Sequence, residues 1–407
     1  MRFIRLTLTD FRSYQSLTWH PQARISLLVG PNGSGKTNLL EAVSLLTPGR
    51  GLRGARMADL VRRGAPGGWA VAGRFVTAAG ETDIGTGTVP DGGERPREHP
   101  GDRRVFRLDG VAPRSQAEIA AHVAAVWLTP QMDRLFQEGL SGRRRFLDRL
   151  VWALEPGHAR EIAAHDTAMA QRNRLLAQGR PQGRPEGRPT GRDDAAWLAG
   201  LEDAMARHAV AAVASRAMLV ARLNAALAAG AAAPFPAAHL ALICPIAERL
   251  DTAPALEVED WLRAGLAAAR VRDAAAGGAA LGAHRTDLAM SDAATGQPAS
   301  LASTGEQKTL LVGLVLGHAA LIAEAHGAAP LLLLDEPAVH LDPARRAALF
   351  AALARLPAQT LITGTDAETF APLREIAELL RTGDGNLLPE SGFPPPSAPV
   401  TPVRGTL

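Results

Sequence analysis

The chain has 407 residues, which is the length of two or three ordinary domains of about 150 residues. Hydrophobic residues make up 46% of it and charged residues 21%, so it can fill at least one core and lies outside the composition range of disordered proteins. A formal net charge of +3 excludes a surface that coats nucleic acid through its overall charge. The single cysteine, Cys244, excludes an internal disulfide and a cysteine zinc site, and it favours a reducing, cytoplasmic setting.

The N-terminus carries Arg2 and Arg5 and has no apolar stretch as long as that of a signal peptide. Nowhere does the sequence run through about eighteen apolar residues without interruption. We therefore expect neither export nor a membrane span.

Lysine is almost absent from the chain. Of the 44 basic residues only Lys36 and Lys308 are lysines, which leaves 44 − 2 = 42 arginines. A lysine retained in such a chain indicates a position that needs a compact ammonium rather than a planar guanidinium.

The N-terminal segments predict a strand, a glycine-rich loop and a helix. Residues 3–11 alternate apolar and polar side chains, which is typical of a half-buried strand, whereas Ile25–Val29 is apolar throughout and predicts a strand buried on both faces. The sequence GPNGSGKT follows at 30–37, and apolar residues then recur at helical spacing from Leu39 to Leu46.

Hairpins and then long helices are predicted further along the chain. Between 69 and 110, short alternating segments predict antiparallel hairpins with a long polar loop at 91–104. Beyond 141 the pattern predicts two long helices, the first starting at the arginines near 143 and reaching about Gln178, the second running from about Asp194 to Ala229. We expect them to form an antiparallel pair that protrudes from a compact body.

Two segments have the composition of irregular chain. Four Gly-Arg pairs recur at a period of four over 179–192, where proline and glycine exclude a helix, so we predict a linker. This linker either contacts nucleic acid or is an insertion of biased composition that has no function. The last 23 residues, 385–407, are rich in Pro, Gly and Ser and predict a disordered tail.

The loop at 30–37 fits the phosphate-binding pattern G-x-x-x-x-G-K-[ST] in the strand, loop and helix context that the pattern requires. Its backbone N–H groups and the start of the helix form a cradle for an anion. Lys36 then reaches the β- and γ-phosphates of a nucleotide, and Thr37 holds Mg²⁺. The alternative is an accidental glycine turn before a helix.

A second candidate site follows an apolar run. Residues 331–334, all leucine, predict a buried parallel strand, and Asp335 and Glu336 follow at its carboxyl end, where ligands bind in open α/β sheets. Asp335 is suited to hold Mg²⁺ through water, and Glu336 to act as general base toward the attacking water. Taken alone, the pattern also fits a strand followed by an acidic turn.

A third motif, STGEQK at 303–308, precedes an apolar helical stretch. Serine and glycine at the start of a helix make a second anion site, although a capped helix without a ligand is the ordinary alternative. Only 335 − 305 = 30 residues separate Gly305 from Asp335, so this helix leads directly into the acidic strand.

Together these motifs resemble the head of an ABC-type ATPase, with a phosphate loop, a long insertion, STGEQ at 303–307, LLLLDE at 331–336 and HLD at 340–342. In that family the signature serine and glycine of one subunit contact the nucleotide held by the other. The resemblance therefore implies an ATP-dependent homodimer. It also implies an α/β fold with a mixed sheet and a phosphate loop, plus a helical lobe that carries the helix pair.

More detailed strings resemble the RecF family of recombination mediators, which are built on ABC/SMC-type heads. The strings are LTLTDFRSY at 6–14, LTPQMDRLFQEGLSGRRRFLDR at 128–149, GAHRTDL at 282–288 and ASTGEQKTLL at 302–311, and the similarity extends from residue 1 to about 385. The gap of 303 − 36 = 267 residues between Lys36 and Ser303 is longer than in a transporter head and far shorter than in an SMC protein.

The resemblance implies roles for individual residues. Glu336, Lys36 and Asp335 become catalytic, and Thr37 and Asp335 hold Mg²⁺. The implied ATP contacts are Gly30, Asn32, Gly33, Ser34, Gly35, Lys36, Thr37, Asn38, Arg53, Ser303, Gly305, Gln307 and Asp342. Of these, Ser303, Gly305 and Gln307 act in trans, and Asp342 takes the D-loop position next to the dimer seam. Arg53 resembles an arginine that SMC-like heads place near the phosphates, where it stabilises transition-state charge; the alternative is a solvated loop arginine.

Two positions depart from transporter-type heads. Thr365 stands where those heads have a histidine after the strand that follows the D-loop, which implies weaker sensing of the γ-phosphate and slow hydrolysis. Gln131 follows a strand that ends at Thr129 and is a candidate Q-loop glutamine, which RecF-like proteins need not keep.

Two basic segments have open interpretations. Arg143, Arg144 and Arg145 either form a solvated helix face or bind DNA phosphates, since closely spaced guanidiniums release counterions. For the HRTD segment at 284–287, one interpretation is a buried pair between Arg285 and Asp287, and the other is a contact to nucleotide or DNA.

The leading hypothesis is a weak, DNA-stimulated ATPase that dimerises on ATP and clamps duplex, gapped or junction DNA in the cytoplasm. The resemblance adds RecR and RecO as partners and the loading of RecA onto single strands. The expected parts are an N-terminal ATPase part at 1–130, a helical lobe at 131–280, a C-terminal ATPase part at 281–384 and the tail. The alternatives are the ATPase of a transporter, another SMC-like head, and a nucleotide-binding scaffold without turnover, which Glu336 disfavours.

Overall fold

The computed structural model describes residues 1–77, 80–88, 104–178 and 192–390. The chain divides into two compact units. The first unit comprises Met1–Asp133, Gly230–Pro236 and Ser303–Leu407, and the second comprises Arg134–Ala229 and Ala237–Ala302.

The described residues form strands and helices in both units. The strands are β1 Arg2–Phe11, β2 Tyr14–Trp19, β3 Ile25–Val29, β4 Ala70–Thr77, β5 Gly80–Thr88, β6 Arg104–Leu108, β7 Ala125–Leu128, β8 Ala238–Ile243, β9 Asp287–Asp292, β10 Leu331–Leu334, β11 Thr360–Gly364, β12 Ala377–Gly383 and β13 Asn386–Pro389. The α-helices are α1 Lys36–Ser44, α2 Gln116–Ala120, α3 Leu140–Trp152, α4 His158–Gln178, α5 Arg192–Ala228, α6 Pro245–Leu250, α7 Ala255–Ala268, α8 Arg270–Ala276, α9 Thr304–His326 and α10 Pro343–Arg355.

The first unit contains two sheets. One is antiparallel, with the strand order β2-β1-β4-β5-β6. The other has the order β13-β12-β3-β11-β10-β7 and is parallel except for the hairpin of β12 and β13. Helix α1 contacts strands of both sheets. This arrangement confirms the predicted α/β fold with a mixed sheet and a phosphate loop.

Three parallel strands end at the same edge of the second sheet. Val29 of β3 pairs with Gly364 of β11, and Leu334 of β10 pairs with Ile362 of β11. Every residue of β3 and β10 is buried, as the apolar runs predict. The segments that follow these strands, which carry the phosphate loop and the acidic pair, are therefore brought together by strand pairing alone.

The second unit is mainly helical. Helices α4 and α5 are antiparallel, because Glu161 pairs with His208 and Arg172 pairs with Glu202. The single helix predicted to reach Gln178 is wrong: α3 ends at Trp152 and α4 begins at His158. Pro156 lies in the break, where it has no N–H to continue a helix.

A short sheet of β8 and β9 also belongs to the second unit. The strands pair antiparallel from Ala238 with Asp292 to Ile243 with Asp287. This long-range pairing extends the helical unit to Ala302, beyond the boundary at 280 that the sequence predicts.

The predicted start of the disordered tail, at residue 385, is too early. Asn386–Pro389 forms β13, which turns back onto β12 through Asp384 and Gly385, both with positive φ. Residues 391–407, most of the predicted polar loop at 91–103 and most of the predicted linker at 179–191 lie outside the described residues.

Two helices are long and apolar enough to cross a bilayer by length and composition alone. They are Asp194–Ala228 and Thr304–His326, and 72% of the apolar window of the second is buried within the protein, against 44% of the first. The core helix of a soluble protein gives the same signal, so this is weak evidence for a membrane span.

Candidate active site

The glycine-rich loop connects β3 to α1. Gly35 is the N-cap of α1 and has a φ of +102°. A Cβ at this position would lie 2.8 Å from Ser13 Oγ and 2.9 Å from Tyr14 Oη, so backbone conformation and available space both require glycine. The Tyr14 hydroxyl donates a hydrogen bond to Gly35 O at 3.1 Å and thereby fixes the loop against the turn between β1 and β2.

The Lys36 side chain lies inside the loop. Its Nζ donates to Gly30 O at 2.7 Å and to Pro31 O at 2.9 Å. Burial lowers the pKa of Lys36, while the negative charges of Glu336 and Asp335 act in the opposite direction. An ammonium held in this way is within reach of phosphate oxygens that enter the loop.

A cavity of about 250 Å³ opens beside the loop. Its lining residues are Asn32, Gly33, Gly35, Lys36, Thr37, Asn38, Arg53 and Glu336. Most of the ATP contacts implied for this chain therefore share one cavity. Gly30 and Ser34 lie behind it, with Gly30 buried and Ser34 Oγ 2.6 Å from Thr382 Oγ1.

Two hydroxyl groups hold the carboxylate of Asp335. Thr37 Oγ1 donates to Asp335 Oδ1 at 2.9 Å, and Thr363 Oγ1 donates to the same oxygen at 2.7 Å. A carboxylate and a threonine hydroxyl are oxygen donors of the kind that Mg²⁺ prefers beside substrate phosphates. No group of three or more His, Cys, Asp or Glu residues in the described part of the chain is arranged to hold a metal. A metal at this position therefore needs phosphate oxygens and water as further ligands.

Glu336 has an unusual main-chain conformation. Its φ is +49°, which is uncommon for a residue with a Cβ. Its N–H donates to Thr363 Oγ1 at 2.9 Å, and its carbonyl accepts from Lys308 Nζ at 3.2 Å. The residue lines the cavity of the loop and also a second cavity of about 160 Å³, which Thr365 and Arg346 share. A carboxylate at this position can accept a proton from water in either cavity.

Arg53 is exposed but bonded to α1 beside the loop, and its role at the phosphates stays a prediction. Its Nη1 donates to Asn38 Oδ1 at 3.0 Å and lies 3.6 Å from Glu41 Oε2. Glu41, which is buried on α1, also accepts hydrogen bonds from Arg12 at 2.9 and 3.0 Å. One buried carboxylate therefore holds two guanidinium groups at the phosphate loop.

The signature segment forms the N-terminus of α9. Ser303 is its N-cap in a capping box, in which Glu306 N–H donates to Ser303 Oγ at 3.4 Å and Ser303 N–H donates to Glu306 Oε2 at 2.8 Å. Ser303 is exposed and Gly305 is half-buried, whereas Gln307 is only 1% exposed. Ser303 and Gly305 are accessible to a ligand from outside, but the burial of Gln307 does not fit the trans contact predicted for it.

Three further residues have roles predicted from the sequence, namely Asp342, Thr365 and Gln131. Asp342 is exposed and caps α10, accepting from Arg345 N–H at 2.8 Å. Thr365 follows β11 and lines the second cavity with Glu336. Gln131 is exposed in the 3₁₀ helix after β7, and the lining residues of the two cavities do not include it.

The arginine cluster on α3 does not form one solvated face. Arg143 makes two hydrogen bonds of 2.7 Å to the carboxylate of Asp287, and Arg144 donates to His284 O. Both residues are half-buried and bonded within the second unit, so for them the solvated interpretation is wrong, whereas a contact to DNA stays a prediction. Only Arg145 of the three is exposed.

The HRTD segment is structural, but not through the predicted pair. Asp287 bonds to Arg143, while Arg285 Nη2 donates to Ala279 O at 3.2 Å. Burial and, to a lesser extent, the positive charges of Arg285 and Arg144 lower the pKa of His284 to about 4, although its bond to Ala279 O acts in the opposite direction. The pair is wrong because α3, distant in sequence, supplies the closer guanidinium.

Sequence patterns assign no role to two residues near the reactive centre. They are Thr363 and Glu41, which contact Asp335 and Arg53 respectively. Thr363 lies within β11, whereas Thr365 lies beyond the end of that strand, and no sequence pattern distinguishes the two. The scarcity of lysine singles out Lys308, but no pattern indicates its contact with Glu336.

Comparisons with known proteins agree on one family. Residues 3–386 match the RecF/RecN/SMC N terminal domain. DNA replication and repair protein RecF of Mesorhizobium japonicum is 45% identical over 387 residues, covering 95% of this chain and 97% of the relative. The RecF protein of Allorhizobium ampelinum is 44% identical over 385 residues, covering 94% and 97%.

Solved structures of the same kind share the fold. The recombination mediator protein RecF-ATPrS in the RecFOR pathway superposes with a TM-score of 0.79 at 21% identity, covering 95% of this chain and 98% of that one. RecF-ATP of the same pathway has a TM-score of 0.76 at 21% identity, with 96% and 99% covered. An SMC head bound to the C-winged helix domain of ScpA has a TM-score of 0.51 at 16% identity, with 96% and 98% covered.

Proposed function

This chain belongs to the RecF family of SMC-type ATPases, a family of DNA replication and repair proteins, and from that premise we propose that ATP and Mg²⁺ drive its dimerisation on DNA. It is a recombination mediator ATPase of DNA repair.

One arrangement carries the proposal: Lys36, Thr37 and Glu336 line one cavity, and Asp335 accepts a hydrogen bond from Thr37. Lys36 and the N–H groups at the start of α1 bind the β- and γ-phosphates of ATP. Thr37 and Asp335 hold Mg²⁺, which when bound neutralises the charge that develops on the phosphates.

Hydrolysis uses the acid next to the metal ligand. Glu336 accepts a proton from the attacking water, while Lys36 and Arg53 stabilise negative charge on the transferred phosphoryl group. Thr365 stands where a transporter head has histidine, so we propose a slow reaction that DNA stimulates.

Dimerisation completes the site with a second copy of the chain. Ser303 and Gly305 are accessible at the start of α9, a 23-residue helix whose positive end attracts an anion. In the dimer this end contacts the γ-phosphate held by the other copy, with Asp342 beside the seam. ATP then favours the closed state by binding it more tightly, and hydrolysis releases it.

The proposed protein partners are inferred from the family, and the proposed binding of DNA is inferred from the family and from a positively charged residue. The solved relatives act in the RecFOR pathway, so we propose RecR and RecO as partners, RecA loading on single strands as the result, and the cytoplasm as the location. Duplex, gapped or junction DNA is the proposed ligand, and Arg145 is the remaining candidate of the α3 cluster for a phosphate contact.

A transporter ATPase is the other candidate that the sequence raised. The relatives named RecF match this chain over 95% of its length, including the helical insertion that a transporter head lacks. A scaffold without turnover is disfavoured by Glu336 at the cavity.

Binding to a labelled gapped duplex, followed by fluorescence anisotropy, tests the proposal. We expect DNA affinity at least about tenfold higher with ATP than with ADP, a usual size for such coupling. The Lys36→Ala protein should bind DNA equally in both nucleotides. Equal DNA affinity of the unmodified protein with ATP, with ADP and without nucleotide would contradict ATP gating.

A further inference from the structure

Lys308 is the second of the two lysines, and it is buried next to the acidic turn. Its side chain is 2% exposed, and its Nζ lies 3.4 Å from Asp133 Oδ2. The same Nζ donates to the carbonyl of Glu336 at 3.2 Å. A compact ammonium thus contacts the main chain of the residue assigned as general base.

The main chain of Glu336 is fixed on both sides. Thr363 accepts its N–H and Lys308 binds its carbonyl, and between these contacts the residue has a φ of +49°. A left-handed conformation is unfavourable for a residue with a Cβ and persists only where the surroundings enforce it. If the contact at the carbonyl were lost, the turn would relax and the carboxylate would move.

The position of Lys308 on its helix adds a second connection. Lys308 lies five residues after Ser303, about one and a half turns into α9. Helix α9 is therefore in contact with the acidic turn at Lys308 and accessible to an outside ligand at Ser303. A displacement at the start of the helix reaches Glu336 through a single side chain.

We propose that Lys308 is a positioning residue that fixes the main chain of Glu336 and links the orientation of this carboxylate to the engagement of Ser303. The proposal rests on the proposed function, in which Glu336 is the general base and Ser303 contacts the nucleotide of a second copy.

The surroundings explain why the position is a lysine. Asp133 lies in the 3₁₀ helix Pro130–Arg134, which follows β7, and its charge offsets the cost of burying the ammonium. Burial lowers the pKa of Lys308 and raises the pKa of Asp133, and their mutual attraction opposes both changes. The planar fork of an arginine does not match a point contact to one carbonyl and one carboxylate oxygen in a closed space.

The competing explanation is that Lys308 and Asp133 form an ion pair that only stabilises the fold. Two substitutions distinguish this explanation from the proposal. Lys308→Met removes the contact to Glu336, whereas Asp133→Asn breaks the charge pair but leaves Nζ an oxygen acceptor and its bond to the carbonyl. If the pair only stabilises the fold, the two variants should lower ATPase activity alike. If Lys308 positions Glu336, kcat should fall at least about tenfold in Lys308→Met and stay within about threefold in Asp133→Asn. The affinity for ATP should change little in both.

The double variant Lys308→Met/Asp133→Leu keeps the test valid if Lys308→Met folds poorly. Replacing both members of a buried pair by apolar residues is often neutral for stability. We expect the double variant to regain the melting temperature but not kcat. Recovery of kcat to the value of the unmodified protein would overturn the proposal.

The Glu336→Gln background distinguishes this inference from the proposed function. There, Lys308→Met should lower the remaining rate by less than about twofold, because the group that it positions is already gone. A further tenfold loss would show that Lys308 acts elsewhere. If Glu336→Gln itself hydrolyses ATP at the unmodified rate, the proposed function fails, whereas full activity of Lys308→Met in an otherwise intact protein overturns only the role of Lys308.

Discussion

The hydroxyl of Thr37 donates a 2.9 Å hydrogen bond to Asp335 Oδ1, across 298 residues of sequence. This bond joins the first turn of α1 to the end of β10. The same oxygen accepts from Thr363, so its position is fixed by two strands and a helix. The carboxylate that we propose holds Mg²⁺ is thus fixed in place by protein contacts.

Asp335→Asn should weaken binding of ATP in the presence of Mg²⁺ by about tenfold or more, since the amide is a poorer partner for metal-bound water. Binding of ATP in EDTA should change little, because Lys36 and the loop glycines are intact. Calorimetry in the two buffers measures the difference, and Thr252→Val, at an exposed position of the second unit, serves as control. An equal loss of affinity with and without metal would argue against the metal assignment.

Ser303→Arg should leave the binding of one ATP per chain intact and block ATP-driven association. Ser303 is exposed, so the larger side chain costs the fold little beyond the lost cap, about 1 kcal/mol. Sedimentation velocity with ATP measures association, and Thr252→Arg, which adds the same charge at an exposed position of the second unit, is the matched control. Loss of ATP binding together with association would mean that the serine acts within its own chain.

Arg145→Ala should lower the affinity for duplex DNA and reduce the slope of log K against log salt by about 1, as expected for one lost phosphate contact. Arg143→Ala should instead lower the melting temperature. Burial raises the pKa of Asp287, but hydrogen bonds from Arg143 and from the Leu288 N–H, with the positive charges of Arg143 and Arg144, together lower it, so the substitution removes the guanidinium partner of this carboxylate. Anisotropy titrations at several salt concentrations test the first statement. An unchanged salt slope for Arg145→Ala would exclude this residue from the DNA interface.

Stability should depend on pH through His284. Its pKa is lowered to about 4 in the folded protein, mainly by burial, against 6.5 for the ordinary group. The unfolded chain therefore binds the extra proton first, and the free energy of unfolding falls as pH drops from about 6.5 toward 4.

His284→Gln retains a donor for Ala279 O and removes this titration. Between pH 7.5 and 5.5, urea unfolding of the unmodified protein should lose about 1.4 kcal/mol more than the variant does. Identical pH dependence of the two proteins would contradict the shifted pKa.

The parts of the site that the sequence predicts are those set by local rules. The loop at 30–37 and the acids after β10 follow buried apolar runs, and parallel strands bring their carboxyl ends to one edge. A local rule also predicts the break between α3 and α4, because Pro156 lies between the two helices and cannot continue a helix.

Other features depend on contacts between side chains that are distant in sequence, and no local sequence pattern encodes those contacts. Asp287 has Arg285 two residues away but pairs with Arg143, 144 residues away, because β9 and α3 pack together. Thr363 lies within β11 and bonds Asp335, whereas Thr365 lies just beyond the end of this strand and lines the second cavity with Glu336. Gln307 is buried although Ser303, four residues earlier on the same side of the helix, is exposed, and no local pattern distinguishes the two positions.

Sedimentation velocity of the Glu336→Gln protein tests the central claim most directly, with ATP, with ADP and without nucleotide, each in the presence and absence of gapped duplex DNA. If ATP closes two copies and Glu336 is needed to reopen them, the variant should sediment as a dimer with ATP, should retain DNA in that dimer, and should remain a monomer with ADP. A variant that stays monomeric at saturating ATP, with and without DNA, would contradict the account.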